Sequence, residues 1–85
     1  MPERPHEAEE PALGQVIREL REERRLGQGE LAVAADVDER RLKALESGQI
    51  DADYVLLVRL AKALGVAPGT VVARAEELAG EGSES

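Results

Sequence analysis

The sequence from residue 28 to residue 48 contains two short helical patterns with room for only three residues between them. The first pattern covers about 28–35 and the second about 39–47, so the connection is a tight turn. Asp38 can cap the second helix, because a short carboxylate accepts hydrogen bonds from the unpaired N–H groups of a first turn. Gly48 can end it, because glycine readily adopts the left-handed conformation of many helix ends.

The second of these helices has two faces that differ in chemistry. At about 100° per residue, Leu42 and Leu45 face inward together with Val37. The other side carries basic, small and polar residues, namely Arg40, Lys43, Ala44 and Ser47, with Glu39 beside them. The DNA major groove admits one helix, and arginine or lysine can donate to guanine O6 and N7. The face therefore fits either major-groove recognition or an ordinary solvated surface.

Three motifs at fixed spacings extend this pattern over most of the chain. They read R-x6-Q-x2-L-A before the turn, L-x3-E-x-G after it, and L-A-x2-L-G-V further on. From Leu13 to Val72 the chain resembles the phage repressor and Cro-type helix-turn-helix family. The matching residues are Arg21, Gln28, Leu31, Ala32, Val37, Leu42, Leu45, Glu46, Gly48, Leu60, Ala61, Leu64, Gly65 and Val66.

The resemblance implies an all-α fold, a compact five-helix repressor-like domain over 11–79 with the helix-turn-helix at about 28–47. It also implies that the second helix of this unit enters the major groove. Base contacts would then come from Glu39, Arg40, Lys43 and Ala44. Phosphate contacts would come from Gln28, Arg41, Ser47 and Gln49. In the family, the residues matching Arg21 and Glu46 form an ion pair that locks helix one to the end of the recognition helix.

Apolar spacing predicts three further helices. Helix one is expected from Pro11 to about Arg25, and helix four from about 53 to 64, with Tyr54 on its apolar face. Helix five is expected to begin at Pro68 and to end near residue 78. Its apolar stripe is Val71, Val72, Ala75 and Leu78. We interpret this stripe as the interface of a two-fold homodimer, with closure of the monomer core as the alternative.

The net charge of −7 is concentrated at the two ends of the chain. Residues 1–10 contain four glutamates and one arginine, and residues 76–85 contain four glutamates and no base. Residues 11–75 contain ten acidic and ten basic side chains. The central domain is thus neutral and can still present a basic face. Residues 1–10 and 80–85 predict a disordered acidic arm and tail.

The residue inventory argues against an enzyme. The chain has no cysteine and one histidine, and two of its three serines lie in the tail. A nucleophile needs a nearby base, and no phosphate-binding loop or clustered metal-ligand set is present. We therefore expect no catalytic residue, metal or cofactor. No apolar run has the length of a membrane span, so we expect a cytoplasmic protein without a membrane partner.

Two functional hypotheses follow. The first is a small bacterial transcriptional regulator that binds a specific double-stranded DNA operator. The second is a protein-interaction module on the same fold, such as an antitoxin that binds a toxin or a cofactor that binds another regulator. Asp51 and Asp53 favour the second, because they lie where relatives often place bases near phosphates. Gly27 and Gly29 also depart from the family, since a serine or asparagine cap and a good helix former are usual there, so a weaker start of helix two is expected.

Overall fold

The computed structural model describes the backbone of residues 5–83 and the side chains of residues 12–80. Five helices and no strand are present in this part of the chain. They are α1 (Pro5–Glu23), α2 (Gln28–Ala35), α3 (Glu39–Glu46), α4 (Tyr54–Leu64) and α5 (Pro68–Ser83). The all-α, five-helix fold predicted from the sequence is therefore confirmed.

The outer helices are longer than predicted. α1 begins at Pro5 instead of Pro11, and α5 continues to Ser83 instead of ending near Leu78. Proline suits a first helical turn, and alanine and glutamate favour helix, which explains the start of α1. The predicted arm and tail thus contain helical backbone at 5–10 and 80–83. Residues 1–4 and 84–85 lie outside the described residues.

The core is aliphatic and draws on every helix. Its largest fully buried side chains are Val16, Ile17, Leu31, Leu42, Leu45, Leu56, Leu60, Leu64 and Val71. Burying a leucine or isoleucine contributes about 1.5–3 kcal/mol each, so this cluster is the main source of stability. Tyr54, which was predicted on the apolar face of α4, is instead 76% exposed. It is the first residue of α4, and Asp53 caps the helix just before it.

α1 ends at a left-handed residue that the apolar pattern of the sequence did not predict. Arg25 adopts φ 57°, in the left-handed region that glycine prefers. The chain reverses there, and the Leu26 N–H donates to the Arg21 carbonyl at 3.1 Å. The side chain of Leu26 packs against the core, which holds this turn in place.

The interface predicted on α5 is wrong for two of its four residues. Val71 is 0% exposed and Ala75 is 3% exposed, and both belong to the core cluster of the single chain. Val72 and Leu78 are half-buried and pack against that core. α5 packs mainly along α1, so its apolar stripe closes the monomer, which was the alternative interpretation.

No single helix among the described residues combines the length and hydropathy needed to cross a membrane. α4 and Pro68–Gly80 reach that length and hydropathy only as a pair, and the pair is bent by 103°.

Candidate nucleic-acid interface

Helix α3 is fixed at both ends by its own local sequence. The Asp38 side chain accepts a hydrogen bond of 2.8 Å from the Arg40 N–H. At the other end Ser47 is the C-cap, and Gly48 has φ 81°. The Gln49 N–H then donates to the Ala44 carbonyl at 2.8 Å. The structure places Ser47 just outside the helix, so α3 is one residue shorter than predicted.

α3 has a buried face and an exposed face, as its sequence indicates. Leu42 and Leu45 are both 0% exposed, and they seat the helix on the core. The exposed face consists of Glu39, Arg40, Arg41, Lys43 and Ser47, with Ala44 half-buried beside them. All four predicted base-contact residues therefore share one surface. No nucleic acid contact follows from burial alone, so their roles stay predictions.

A buried network joins α1, α2 and α3 at Glu46. Its carboxylate accepts from Arg21 Nε at 2.8 Å and Arg21 Nη2 at 2.9 Å. The same carboxylate accepts from Gln28 Nε2 at 2.9 Å, and Arg21 Nη1 donates to the Leu26 carbonyl at 2.8 Å. The hydrogen bond with Glu46 raises the pKa of the Arg21 guanidinium above its usual value. The expected ion pair is present, and it fixes the C-terminal end of α3 to α1.

Gln28 has a role that the sequence did not suggest. Its side-chain amide donates to Glu46, so it neither caps α2 nor points freely to solvent. The start of α2 is held instead by Glu30, whose Oε1 accepts from the Gly27 N–H at 2.7 Å. This is half of a capping box, and it partly replaces the missing side-chain cap at Gly27.

Arg41 is paired within the chain. Its Nη2 donates to Asp53 Oδ2 at 2.6 Å, while Asp53 Oδ1 accepts from the Leu56 N–H at 2.8 Å. The Leu56 N–H and then Arg41 lower the pKa of the Asp53 carboxyl. Sequence reasoning placed Asp53 near the expected phosphate path but missed its pairing with Arg41. One predicted phosphate contact is thus occupied in the free protein.

The remaining charges on α3 are less constrained. Lys43 Nζ lies 3.6 Å from Glu39 Oε2 in an exposed pair four residues apart. Such pairs contribute only about 0.3–0.5 kcal/mol. Among the described residues, the Arg40 guanidinium has no hydrogen-bond or ion-pair partner. Arg40 is therefore the cation on α3 that can bind a ligand at the lowest cost.

Comparisons with known proteins agree with this geometry. A helix-turn-helix domain model matches residues 12–75. The restriction-modification controller protein C.AhdI from Aeromonas hydrophila is 33% identical, over 72% of this chain and 92% of that chain, with a TM-score of 0.70. The clp gene regulator ClgR from Corynebacterium glutamicum is 28% identical, over 88% of this chain and 80% of that chain, with a TM-score of 0.83.

A second structure of ClgR is 30% identical over 81% of this chain and 88% of that chain, with a TM-score of 0.76. No curated protein sequence matches the chain. The matched segment contains the whole of α2, the turn, α3 and α4, together with the Arg21–Glu46 pair. This chain therefore belongs to the helix-turn-helix domain family and has the Cro-type arrangement that its motifs resemble.

Proposed function

We propose that this chain is a transcriptional regulator that binds a specific DNA operator with α3 in the major groove. The observation that carries the proposal is how α3 is anchored and which side chain it exposes. The helix is anchored by two fully buried leucines and the Glu46 network, and its opposite face presents the Arg40 guanidinium, which has no partner among the side chains that the structure describes. A rigid backbone with an available guanidinium is what base recognition needs. Similarity to a controller protein and a gene regulator supports the regulatory role.

The proposed base-contact residues act by different chemistries. Arg40 would donate to guanine O6 and N7, and Glu39 would accept from cytosine N4. Ala44 could contact a thymine methyl group. Gln49 and Ser47 follow α3 and would contact phosphates. Ser47 Oγ donates to the Ala44 carbonyl at 3.1 Å in the free protein, so it would have to redirect its hydroxyl proton to contact a phosphate oxygen, which only accepts.

Selection of bound duplexes from a random DNA pool tests the proposal directly. The selection would be run at about 100 mM salt, where non-specific electrostatic binding is partly suppressed. Enrichment of one consensus, with affinity that falls as salt rises, is the expected result. No enrichment, together with binding only at low salt, would contradict sequence-specific recognition.

Substitution of Arg40 by alanine is expected to relax the base preference at one or two positions. A bidentate arginine–guanine contact discriminates by about 1–3 kcal/mol, so the best duplex should lose that much affinity. Binding to a panel of single-base variants of the selected duplex measures the effect. Lys62→Ala is the control, because Lys62 is an exposed lysine of α4 that lies off the recognition helix. An equal loss on every duplex would contradict the role of Arg40.

Substitution of Asp53 by asparagine is expected to strengthen binding to all duplexes. Asparagine can still cap α4, but it releases the Arg41 guanidinium for a phosphate. The slope of the logarithm of affinity against the logarithm of salt concentration should become steeper by about 1 for one additional phosphate contact. The pKa of Asp53 is lowered, so in the folded protein this carboxylate stays charged to a lower pH than an ordinary aspartate does. Only a fall in pH through that lowered value would break the pair, and a substitution is therefore the cleaner test.

The control for Asp53→Asn is Asp51→Asn, which removes the same charge from the same loop without touching Arg41. The gain in DNA affinity should be larger for Asp53→Asn than for Asp51→Asn. It should disappear when Arg41 is also replaced by alanine. Equal gains from the two asparagine variants would indicate a general charge effect and no release of Arg41.

We also propose that the protein binds DNA as a two-fold homodimer, because members of this fold read half-sites about 34 Å apart. The interface has to lie outside Val71 and Ala75, which are buried in the monomer. A palindromic consensus and a dimer mass in sedimentation are the expected results. A consensus without two-fold symmetry, bound by a monomer, would contradict the dimer.

A protein-interaction module remains the second candidate, and one observation favours it. Val33 on α2 is 83% exposed, which is unusual for a large apolar side chain. It belongs neither to the core cluster nor to the residues that pack against it. The partner would be a toxin or another regulator. Affinity purification from the native cell tests this candidate, and recovery of no stoichiometric partner would argue against it.

A further inference from the structure

The second residue of α2, Gly29, lies against the first side chain of α3, Glu39. A Cβ atom at Gly29 would lie 3.4 Å from Glu39 Oε1 and 3.6 Å from its Cδ and Oε2. We propose that Gly29 is a positioning residue for base recognition, because the space beside its bare backbone holds the Glu39 carboxylate where it can accept from a cytosine N4 amino group. This inference rests on the proposed DNA-binding function. It assigns a role to a position that the R-x6-Q-x2-L-A motif leaves unspecified.

The Glu39 carboxylate is held from two sides. Lys43, one turn further along α3, places Nζ 3.6 Å from Glu39 Oε2. On the other side lies the first turn of α2, whose free N–H groups carry partial positive charge and attract a carboxylate. Glu30 turns back to the Gly27 N–H at 2.7 Å, which leaves the position beside Gly29 to Glu39. A side chain held in this way loses less freedom when it binds a base than a free surface glutamate does.

The size of the side chain at position 29 decides whether this place is open. An alanine Cβ would make an ordinary van der Waals contact with the Glu39 carboxylate, at 3.4 Å or more. Valine adds two further carbon atoms beyond Cβ and has few rotamers in a helix, so the carboxylate would have to move away from α2. Glycine lowers the helix propensity of α2, whereas the position of Glu39 depends on it.

The test compares base preference among variants of the full chain on single-base variants of the selected duplex. Gly29→Val should reduce discrimination by about tenfold at one base-pair position. This position should be the one that loses discrimination in Glu39→Ala. The double variant should lose no more than Glu39→Ala alone, because both substitutions remove the same contact.

Two further variants separate positioning from helix stability. Gly69 is the second residue of α5, as Gly29 is of α2, and a Cβ atom there meets no atom within 4 Å. Gly69→Val therefore makes the same change in helix propensity without a neighbouring carboxylate, and it should leave base preference unchanged. Glu39→Asp leaves α2 intact and withdraws the carboxylate by one methylene group. It should reproduce the loss at the same base pair, including in the case where Gly29→Val does not fold.

Several results would overturn the role of Gly29 while leaving the proposed function intact. One is a wild-type consensus with unchanged base preference in Gly29→Val or in Glu39→Asp. Another is an equal loss on every duplex, which would indicate a weakened α2 alone. A loss at a base pair that Glu39→Ala does not affect would remove Glu39 from the mechanism. Failure of the wild-type chain to select any sequence would contradict the proposed function and, with it, the role of Gly29.

Discussion

Replacing Gly14 with alanine is expected to destabilise the fold by about 3 kcal/mol or more, a large part of the 5–15 kcal/mol that holds a typical domain together. A Cβ atom at this position would overlap the carbonyl oxygen of Leu45 and would lie 3.1 Å from the Cα of Glu46. Both are backbone atoms of α3, so no flexible side chain can yield. α1 and α3 would have to separate at the point where they cross.

Helix propensity gives the opposite expectation for the same substitution. Alanine inside a helix is favoured over glycine by about 0.5–1 kcal/mol. At Gly14, packing therefore predicts that alanine lowers the free energy of unfolding, whereas helix propensity predicts that alanine raises it. The packing effect is the larger of the two. Gly69→Ala is the matched control, because a Cβ there meets no atom within 4 Å. Urea unfolding followed by circular dichroism measures both variants. An unfolding free energy for Gly14→Ala at or above the wild-type value would contradict the close crossing of α1 and α3.

Local sequence was sufficient to predict the helix-turn-helix unit. α2 matches its predicted bounds, α3 differs by one residue, and the caps at Asp38 and Gly48 are present. These features depend on residues within a few positions of one another, because caps and apolar periodicity are short-range effects. The Arg21–Glu46 pair is 25 positions apart, and it came from the family resemblance rather than from any local pattern.

Features that depend on how helices pack were not predicted. An apolar stripe on α5 was correctly identified, but periodicity does not say whether α1 or a second chain covers it, and α1 does. The close contact between Gly14 and α3 was missed for the same reason, because it depends on how two helices cross. The Arg41–Asp53 pair also joins separate elements of the chain.

Replacing Glu46 with alanine is expected to produce the second large effect. The Glu46 side chain is 4% exposed and that of Arg21 is 12% exposed, so the pair is largely shielded from water. Removing one partner of such a pair leaves an uncompensated buried charge and costs about 3–5 kcal/mol. The control is Glu77→Ala, which removes an exposed carboxylate of α5 and should change stability by less than about 0.5 kcal/mol. Urea denaturation of both variants measures the difference.

A double variant separates stability from recognition. With Arg21→Met and Glu46→Leu together no charge is left buried, so the double variant should be markedly more stable than Glu46→Ala. Sequence-selective DNA binding should nevertheless stay weaker than in the wild type. The hydrogen bonds from Arg21 and Gln28 fix the end of α3, and apolar packing does not reproduce their geometry. Full recovery of both stability and selectivity would show that the pair only fills space, whereas recovery of stability alone would show that it positions the recognition helix.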